Sequence, residues 1–152
     1  MAALLSLGAT TASAATLSRS VDVAGNPDAI WKAIGPFCAI RNWHPAIGRC
    51  AVDGKAQPTR TLTTKDGKAT FVELQTARND AAHSYSYSFT SSPVPVTHYV
   101  STFKVVAKSK GVSTVTWSSV YTPDRGKEQA ALDALTGIYE SGLAAIRAQQ
   151  AN

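Results

Sequence analysis

The segment SYSYSFTSSPVPVTHYVSTFKV, residues Ser84–Val105, decides the fold class of this chain. In its first half, aromatic residues alternate with small polar residues, which is the period-two pattern of a β-strand with one buried face. Pro93 and Pro95 then mark a loop, because proline cannot donate to the hydrogen-bond ladder of a sheet. Apolar residues resume after the loop as a second strand. The segment therefore predicts two neighbouring strands of an antiparallel sheet.

Further strands lie on both sides of this segment. Residues 60–77, RTLTTKDGKATFVELQTA, predict a hairpin with Asp66-Gly67 in its turn, which is a strong short-range signal. Three more strands are indicated by the segments TLSRSVDV (residues 16–23), RCAVDG (residues 49–54) and VSTVTWSSVYT (residues 112–122). The order predicts an antiparallel sheet of about seven strands, which has one apolar face to bury.

Two short helices are predicted between the first strand and the rest of the sheet. Asn26 can cap the first of them, and Gly35-Pro36 ends it. The second is expected around Cys38–Asn42 and is stopped by Pro45.

A long amphipathic helix is predicted at the C-terminal end, over Asp124–Gln150, where apolar residues recur at helical spacing. Gly137 and Gly142 lie inside this helix, although glycine costs about 1 kcal/mol there relative to alanine. Glycine in such a position marks close packing against the sheet, or leaves room for a ligand. One long helix of this kind can cover the apolar face of the sheet.

Three segments in this order resemble the SRPBCC superfamily, the START-like, polyketide cyclase/dehydrase-like proteins: IWKAIGPFCAIRNWHP, SYSYSFTSSPVPVTHYVSTFKV and STVTWSSVY. The resemblance implies an α+β helix-grip fold in one domain, residues 15–152, with a curved antiparallel sheet wrapped on the C-terminal helix. It also implies a deep apolar cavity that binds hydrophobic molecules such as lipids, sterols or polyketides. The N-terminal segment and the Trp-His-Pro corner are similar to the periplasmic MxaD-like branch, which is associated with methanol oxidation.

Composition and charge exclude several classes of function. The chain is 44% hydrophobic and 16% charged, which is ordinary for a globular protein and argues against disorder. No apolar run reaches the ~18 residues that a membrane-spanning helix needs. The net charge of +5 is scattered without a basic stripe, so nucleic-acid binding is not expected.

Residues 1–14 are interpreted as the remnant of a signal peptide. An apolar stretch precedes Ala12-Ser13-Ala14, which has the A-x-A pattern of a cleavage site, so the mature chain is expected to begin near Ala15. No basic residue precedes Arg19, and a translation start upstream of Met1 is therefore expected. The alternative is a disordered alanine-rich tail. A functional signal would place the protein in the periplasm or outside the cell.

Cys38 and Cys50 are the only cysteines, and they flank His44 with the spacing C-x5-H-x5-C. Zinc sites bring their ligands in tighter pairs and need a fourth ligand, so no metal is expected here. A disulfide needs only the two cysteines and an oxidising compartment, and this interpretation is favoured. Two free buried thiols remain the alternative.

His44 and Glu73 are the candidates for acid/base catalysis. The pKa of histidine lies near working pH, but no nucleophile motif accompanies it, and a structural role at the helix-to-strand corner is favoured for His44. Glu73 is a site candidate if its side chain faces inward; an outward, solvated position is expected.

The leading hypothesis is an exported protein that binds a small hydrophobic or aromatic ligand without a cofactor. Trp43 is expected at the mouth of the pocket, and the predicted ligand-binding residues are Trp43, Tyr87, Tyr99, Trp117, Leu135, Ile138 and Tyr139. One alternative is a polyketide cyclase- or dehydratase-like enzyme. Another is an accessory protein that acts on a redox enzyme through its surface.

Overall fold

The computed structural model describes residues 12–151. Over this range the chain forms a seven-stranded antiparallel sheet in the order β1-β7-β6-β5-β4-β3-β2, together with three helices. The strands are β1 Ala15–Ala24, β2 Ile47–Val52, β3 Thr59–Thr64, β4 Thr70–Asn79, β5 Ser84–Ser91, β6 Val96–Ser109 and β7 Val112–Pro123. The helices are α1 Pro27–Ile34, α2 Ile40–Trp43 and α3 Glu128–Gln150. The predicted helix-grip fold is confirmed, with the curved sheet packed against α3.

The central strands owe their position to the alternating pattern of their side chains. Tyr85 and Tyr87 on β5, Phe103 on β6 and Trp117 on β7 are each at most 2% exposed. The serines and threonines between them point to the outer face of the sheet, where Ser86 and Thr102 share a hydrogen bond of 2.8 Å. The aromatic face of the sheet is therefore the face that α3 covers.

The two short helices lie in the connection between β1 and β2. The Asn26 side chain accepts a hydrogen bond from the Ala29 amide at 2.9 Å and caps α1, as expected. The second helix begins at Ile40 rather than at Cys38, because a tight turn, closed by the hydrogen bond from the Ala39 amide to the Pro36 carbonyl, comes first. It ends at Trp43, since the residue before Pro45 is extended.

The long helix begins at Glu128, four residues later than the expected start at Asp124. Gly126 has a φ of +74°, a left-handed conformation that glycine adopts without strain, and the Lys127 amide donates to the Asp124 carbonyl. A turn therefore occupies the segment that was predicted as the first helical turn. Beyond it α3 packs along β1 and β7.

Cys38 and Cys50 are joined by a disulfide with a Cα–Cα distance of 5.5 Å. The bond ties the turn before α2 to β2 and confirms the favoured interpretation of the two cysteines. Because both sulfurs are used in this bond, neither is a free thiolate for a metal.

Most of the predicted signal peptide, residues 1–11, lies outside the described residues. Residues 12–14 are exposed and have no regular structure, and β1 starts directly after them. Among the helices formed by residues 12–151, none is long and apolar enough to cross a membrane.

Candidate functional site

A cavity of about 110 Å³ lies between the sheet and α3. Most of its wall is apolar and comes from α2, the α2–β2 corner, the β2–β5 strands and α3; these residues are Ile40, Ala46, Ile47, Leu62, Ala69, Phe71, Phe89, Leu135 and Ile138. The polar or amphipathic members of the wall are His44, Thr64, Glu73, Tyr87, Tyr99 and Trp117. The space is therefore a small apolar chamber with a few polar groups.

The aromatic side chains of the sheet stack to form one side of this chamber. The rings of Phe89 and Tyr99 are parallel with centroids 3.8 Å apart, and Trp117 stacks on Tyr139 of α3 at 4.5 Å. These contacts fill much of the space between helix and sheet. The cavity is consequently smaller than the deep one that the resemblance implied.

A chain of buried hydrogen bonds runs behind the aromatic wall. The Tyr99 hydroxyl lies 2.6 Å from that of Tyr139 and 3.3 Å from that of Tyr87. The Tyr139 hydroxyl is 3.0 Å from Ser101 Oγ, which donates to the Ser118 carbonyl at 2.9 Å. The hydroxyl groups thus link three strands to α3.

The donor and acceptor in each of these hydrogen bonds follow from the two groups that end the chain, the Trp117 indole and the Ser118 carbonyl. The Trp117 indole can only donate, and it does so to the Tyr87 hydroxyl and to Ser101 Oγ, both at 3.0 Å. Ser101 uses its one hydrogen on a carbonyl, so Tyr139 must donate to Ser101. By the same reasoning Tyr99 donates to Tyr139, and Tyr87 donates to Tyr99. Each hydroxyl hydrogen in the chain therefore has an acceptor within the protein.

The tyrosine hydroxyls stay protonated at neutral pH. Burial raises the pKa of Tyr87 and that of Tyr99 well above the ordinary value of tyrosine, and burial also raises the pKa of Tyr139. Neutral hydroxyls of this kind suit hydrogen bonding rather than proton transfer.

Glu73 is buried at 4% exposure, so the expectation of an outward, solvated side chain is wrong. Its Oε2 atom accepts a hydrogen bond of 2.6 Å from Nε of Arg60, which is fully buried. Nη1 of the same guanidinium donates to the Phe37 carbonyl, and the group lies over the Phe37 ring at 4.2 Å. The carboxylate faces inward because this cation neutralises it.

Arg60 was not among the predicted site residues, although the sequence held a signal for it. Arg60 and Glu73 stand equally far from the Asp66-Gly67 turn, and they are paired directly across β3 and β4. Opposite charges at paired positions of a predicted hairpin favour an ion pair. Such symmetry about the turn would also have placed Glu73 on the same face as Leu62 and Phe71.

Arg60 and Glu73 form a buried ion pair. Burial raises the pKa of the Glu73 carboxyl, while the charge of Arg60 and its hydrogen bond oppose that rise. Burial would by itself lower the pKa of Arg60, but the Glu73 carboxylate raises it above its ordinary value. A guanidinium that keeps its proton at 2.6 Å from the carboxylate holds that carboxylate charged.

His44 is part of the cavity wall, but both of its ring nitrogens are used within the chain. Nδ1 accepts from the Ala46 amide at 3.2 Å, so Nε2 carries the hydrogen and donates to the Ile138 carbonyl at 2.9 Å. Burial lowers the pKa of His44, against the opposing effect of the Ile138 carbonyl. The neutral ring therefore joins the α2–β2 corner to α3, as the structural interpretation predicted.

Trp43 lies behind the wall rather than at the mouth of the cavity. The residue is 3% exposed, and its ring stacks on Phe103 at 5.5 Å and makes an edge contact with Trp117 at 5.7 Å. The structure corrects the expected position of this residue, because a side chain at the end of α2 points into the core that α3 covers. Tyr139 also lies outside the wall; the structure places Tyr87, Tyr99, Trp117, Leu135 and Ile138 on it.

The fold and the chamber between sheet and helix define a helix-grip protein with an aromatic-walled cavity. The model of the polyketide cyclase/dehydrase and lipid transport family matches residues 14–150, and the chain belongs to this family. No curated protein matches the chain.

Solved structures share the fold of this chain. The protein XoxI from Bacillus cereus is 31% identical, with a TM-score of 0.84 over 91% of this chain and 96% of that one. An uncharacterised protein from Bacillus thuringiensis is 30% identical, with a TM-score of 0.84 over 91% of this chain and 100% of that one. The Zhui aromatase/cyclase from Streptomyces sp. R1128 is 13% identical, with a TM-score of 0.72 over 91% of this chain and 94% of that one, and it shares the fold alone.

Proposed function

We propose that the protein binds a small, largely apolar ligand, about the size of a single ring, in the cavity between the sheet and α3. The observation that carries this proposal is a chamber between sheet and helix whose wall is mostly apolar and aromatic. Side chains of this kind favour non-covalent burial of an apolar molecule. The description of the family, which joins polyketide cyclases with lipid transport, supports a hydrophobic ligand.

The volume of the cavity decides the size of the ligand. It measures about 110 Å³, whereas pockets for drug-sized molecules measure roughly 300–1,000 Å³. An apolar cavity of roughly 150 Å³ is enough to bind benzene. A single aromatic ring or a short alkyl chain therefore suits the chamber better than a polycyclic molecule does.

Titration of the protein with toluene tests this proposal, with binding followed by calorimetry and by tryptophan fluorescence. Leu135→Phe fills the cavity from α3, since Leu135 is fully buried on its wall, and should abolish binding. Leu132→Phe is the matched control, because Leu132 lies on the same helix but is 36% exposed and does not line the cavity. Absence of saturable binding, or binding that Leu135→Phe leaves unchanged, would contradict the proposal.

The enzyme alternative rests on Glu73 rather than on His44. His44 has no free nitrogen for proton transfer, whereas Glu73 faces the cavity with one oxygen that accepts no hydrogen bond from residues 12–151. A binding role needs neither group to exchange protons, and we therefore favour it. An accessory role toward a redox enzyme stays a prediction from the sequence.

We also propose that the protein is exported. The Cys38–Cys50 disulfide supports this proposal, because disulfides persist in oxidising compartments. The A-x-A pattern at Ala12–Ala14 stands directly before β1, so cleavage there leaves the whole sheet intact. N-terminal sequencing of the protein from its native host should find a chain that begins near Ala15. An intact Met1 in the cytoplasm would overturn the proposal.

A further inference from the structure

The side-chain hydrogen-bond donors on the cavity wall are already used within the protein. The His44 ring donates to the Ile138 carbonyl at 2.9 Å. The Thr64 hydroxyl donates to Asp66 Oδ1 at 2.6 Å, and the Trp117 indole donates at 3.0 Å to the Tyr87 hydroxyl. A ligand that needs a donor from one of these groups would have to break a hydrogen bond that the protein already makes.

The hydrogens of the tyrosine hydroxyls on the wall are also used in hydrogen bonds within the protein. The hydrogen-bond chain that ends at the Ser118 carbonyl directs the hydrogen of Tyr87 to Tyr99 and that of Tyr99 to Tyr139. Each of these oxygens still has acceptor capacity, because a hydroxyl has two lone pairs. The hydroxyls can therefore accept from a ligand but have no hydrogen left to give it.

Glu73 provides the strongest unused acceptor of the wall. Its Oε2 atom is bonded to Arg60, while Oε1 accepts no hydrogen bond from any residue between 12 and 151. A hydrogen bond to an ionised carboxylate is about twice as strong as one between neutral groups. The carboxylate would also repel an anionic ligand.

The buried donors that lack a partner do not belong to wall residues. Within residues 12–151 the unpartnered buried side-chain atoms are Trp43 Nε1, Arg60 Nη2 and Ser119 Oγ. The cavity wall therefore includes Glu73, the acceptor of the Arg60–Glu73 pair, but neither Trp43 nor Arg60, whose side chains carry the unpartnered N–H groups.

We propose that the cavity selects neutral ring molecules that carry a hydrogen-bond donor, such as phenols or aromatic amines, through the carboxylate of Glu73. The inference rests on the proposed binding function and narrows the class of its ligands. Molecules of the same size without a donor bind more weakly, and carboxylates are excluded.

Calorimetric titrations of the full chain with phenol, toluene and benzoate at neutral pH test this proposal. The three probes share one ring and differ in the group attached to it. Phenol should bind roughly ten- to hundredfold more tightly than toluene, which corresponds to one hydrogen bond to a charged group. Benzoate should show no saturable binding.

The result separates this inference from the proposed function. Equal affinities for phenol and toluene, or preferential binding of benzoate, would overturn the selection of donors and leave the apolar cavity as a binding site. Failure of all three probes to bind would overturn the proposed function itself.

A double variant then assigns the preference to Glu73. Glu73→Gln alone leaves the Arg60 charge buried without its partner and risks unfolding, whereas Arg60→Met with Glu73→Met removes both charges at similar volume. The double variant should bind toluene and phenol within about twofold of each other. If phenol keeps its advantage there, Glu73 is not the anchor. If the double variant does not fold, the wild-type titrations decide the ligand class.

Discussion

At Gly142 the lack of a side chain lets α3 approach the corner between α2 and β2. A Cβ atom at this position would lie 2.7 Å from Cδ2 of His44 and 3.0 Å from the rings of both Trp43 and Trp117. This close approach brings the Ile138 carbonyl, one turn earlier in the helix, within reach of the His44 ring. Gly142 therefore serves packing and positions one side of the cavity.

Gly142→Ala should destabilise the protein, while Gly137→Ala should stabilise it. Alanine gains about 1 kcal/mol of helix propensity at either site, but overpacking of a core costs about 1–3 kcal/mol. A Cβ at Gly137 meets no atom within 4 Å, so this position is the matched control in the same helix. Urea denaturation of the two variants measures the free energies of unfolding. A stabilised Gly142→Ala protein would contradict the role assigned to this glycine.

His44 should make the stability of the protein sensitive to weak acid. Burial lowers its folded-state pKa below the ordinary value of 6.5, so the unfolded chain binds the proton at a higher pH than the folded protein does. The contribution of His44 to the free energy of unfolding is complete above the ordinary pKa of 6.5 and is lost as the pH falls toward the lower folded-state pKa.

His44→Asn tests this effect, because asparagine can still accept from the Ala46 amide but cannot reach the Ile138 carbonyl. We expect a loss of about 1 kcal/mol at neutral pH, where one buried hydrogen bond is missing. Between about pH 8 and about pH 5 the variant should lose less stability than the wild type does. Urea denaturation across this pH range measures the loss at neutral pH and the pH dependence of stability. If the free energies of unfolding of variant and wild type fell in parallel, His44 would not be the group that responds to acid.

Among the elements, α2 depends most on a covalent link, since it has only four residues and no side-chain cap. The disulfide holds the turn before α2 against β2, which is an edge strand of the sheet. A helix this short does not persist without tertiary support.

Removal of the disulfide by Cys38→Ala with Cys50→Ala should therefore lower the free energy of unfolding. The bridged residues are 12 apart, and a loop of that length corresponds to about 3 kcal/mol in the chain-entropy model. Denaturation with and without dithiothreitol measures the loss. The double variant also serves as the control. Dithiothreitol should lower the free energy of unfolding of the wild type and leave that of the variant unchanged.

The sequence predicted the elements well where a single pattern controls them. The strand pattern around Tyr85 and Tyr87, the Asp66-Gly67 turn and the cap at Asn26 all depend on local chemistry, and they appear where expected. The predicted start of α3 at Asp124 was wrong, because Gly126 and its neighbours form a turn that the helical spacing did not reveal.

The candidate site was less predictable because its groups meet through tertiary contacts. The period-two pattern identified the face that carries Glu73 and Gln75. Whether that face points into the core or toward solvent depended on the buried partner Arg60, which lies on another strand. Likewise, the pattern did not show whether Trp43 fills the core or reaches the cavity. That choice depends on how closely α3 approaches at Gly142.

At the scale of the whole molecule, the size of the cavity depends on how completely the aromatic side chains fill the space under α3. The stacked rings of Trp117 and Tyr139 and the pair of Phe89 and Tyr99 leave about 110 Å³ between helix and sheet. The same helix-grip frame can therefore hold ligands of different size, depending on a few side chains on the wall.

Leu135→Ala should enlarge the cavity and change the size of the ligand that the protein prefers. Leu135 is fully buried on the cavity wall, and its truncation should cost about 2–5 kcal/mol of stability, because the packed surroundings relax only in part. Naphthalene should then bind to the variant and recover part of that loss, since a ligand at 100 times its Kd adds about 2.7 kcal/mol to the free energy of unfolding. The wild type should gain nothing from naphthalene.

Thermal denaturation of both proteins with and without naphthalene measures the effect, with Leu132→Ala on the exposed face of α3 as the control. If naphthalene stabilised the wild type as strongly as the variant, the volume of the cavity would not be what limits the ligand.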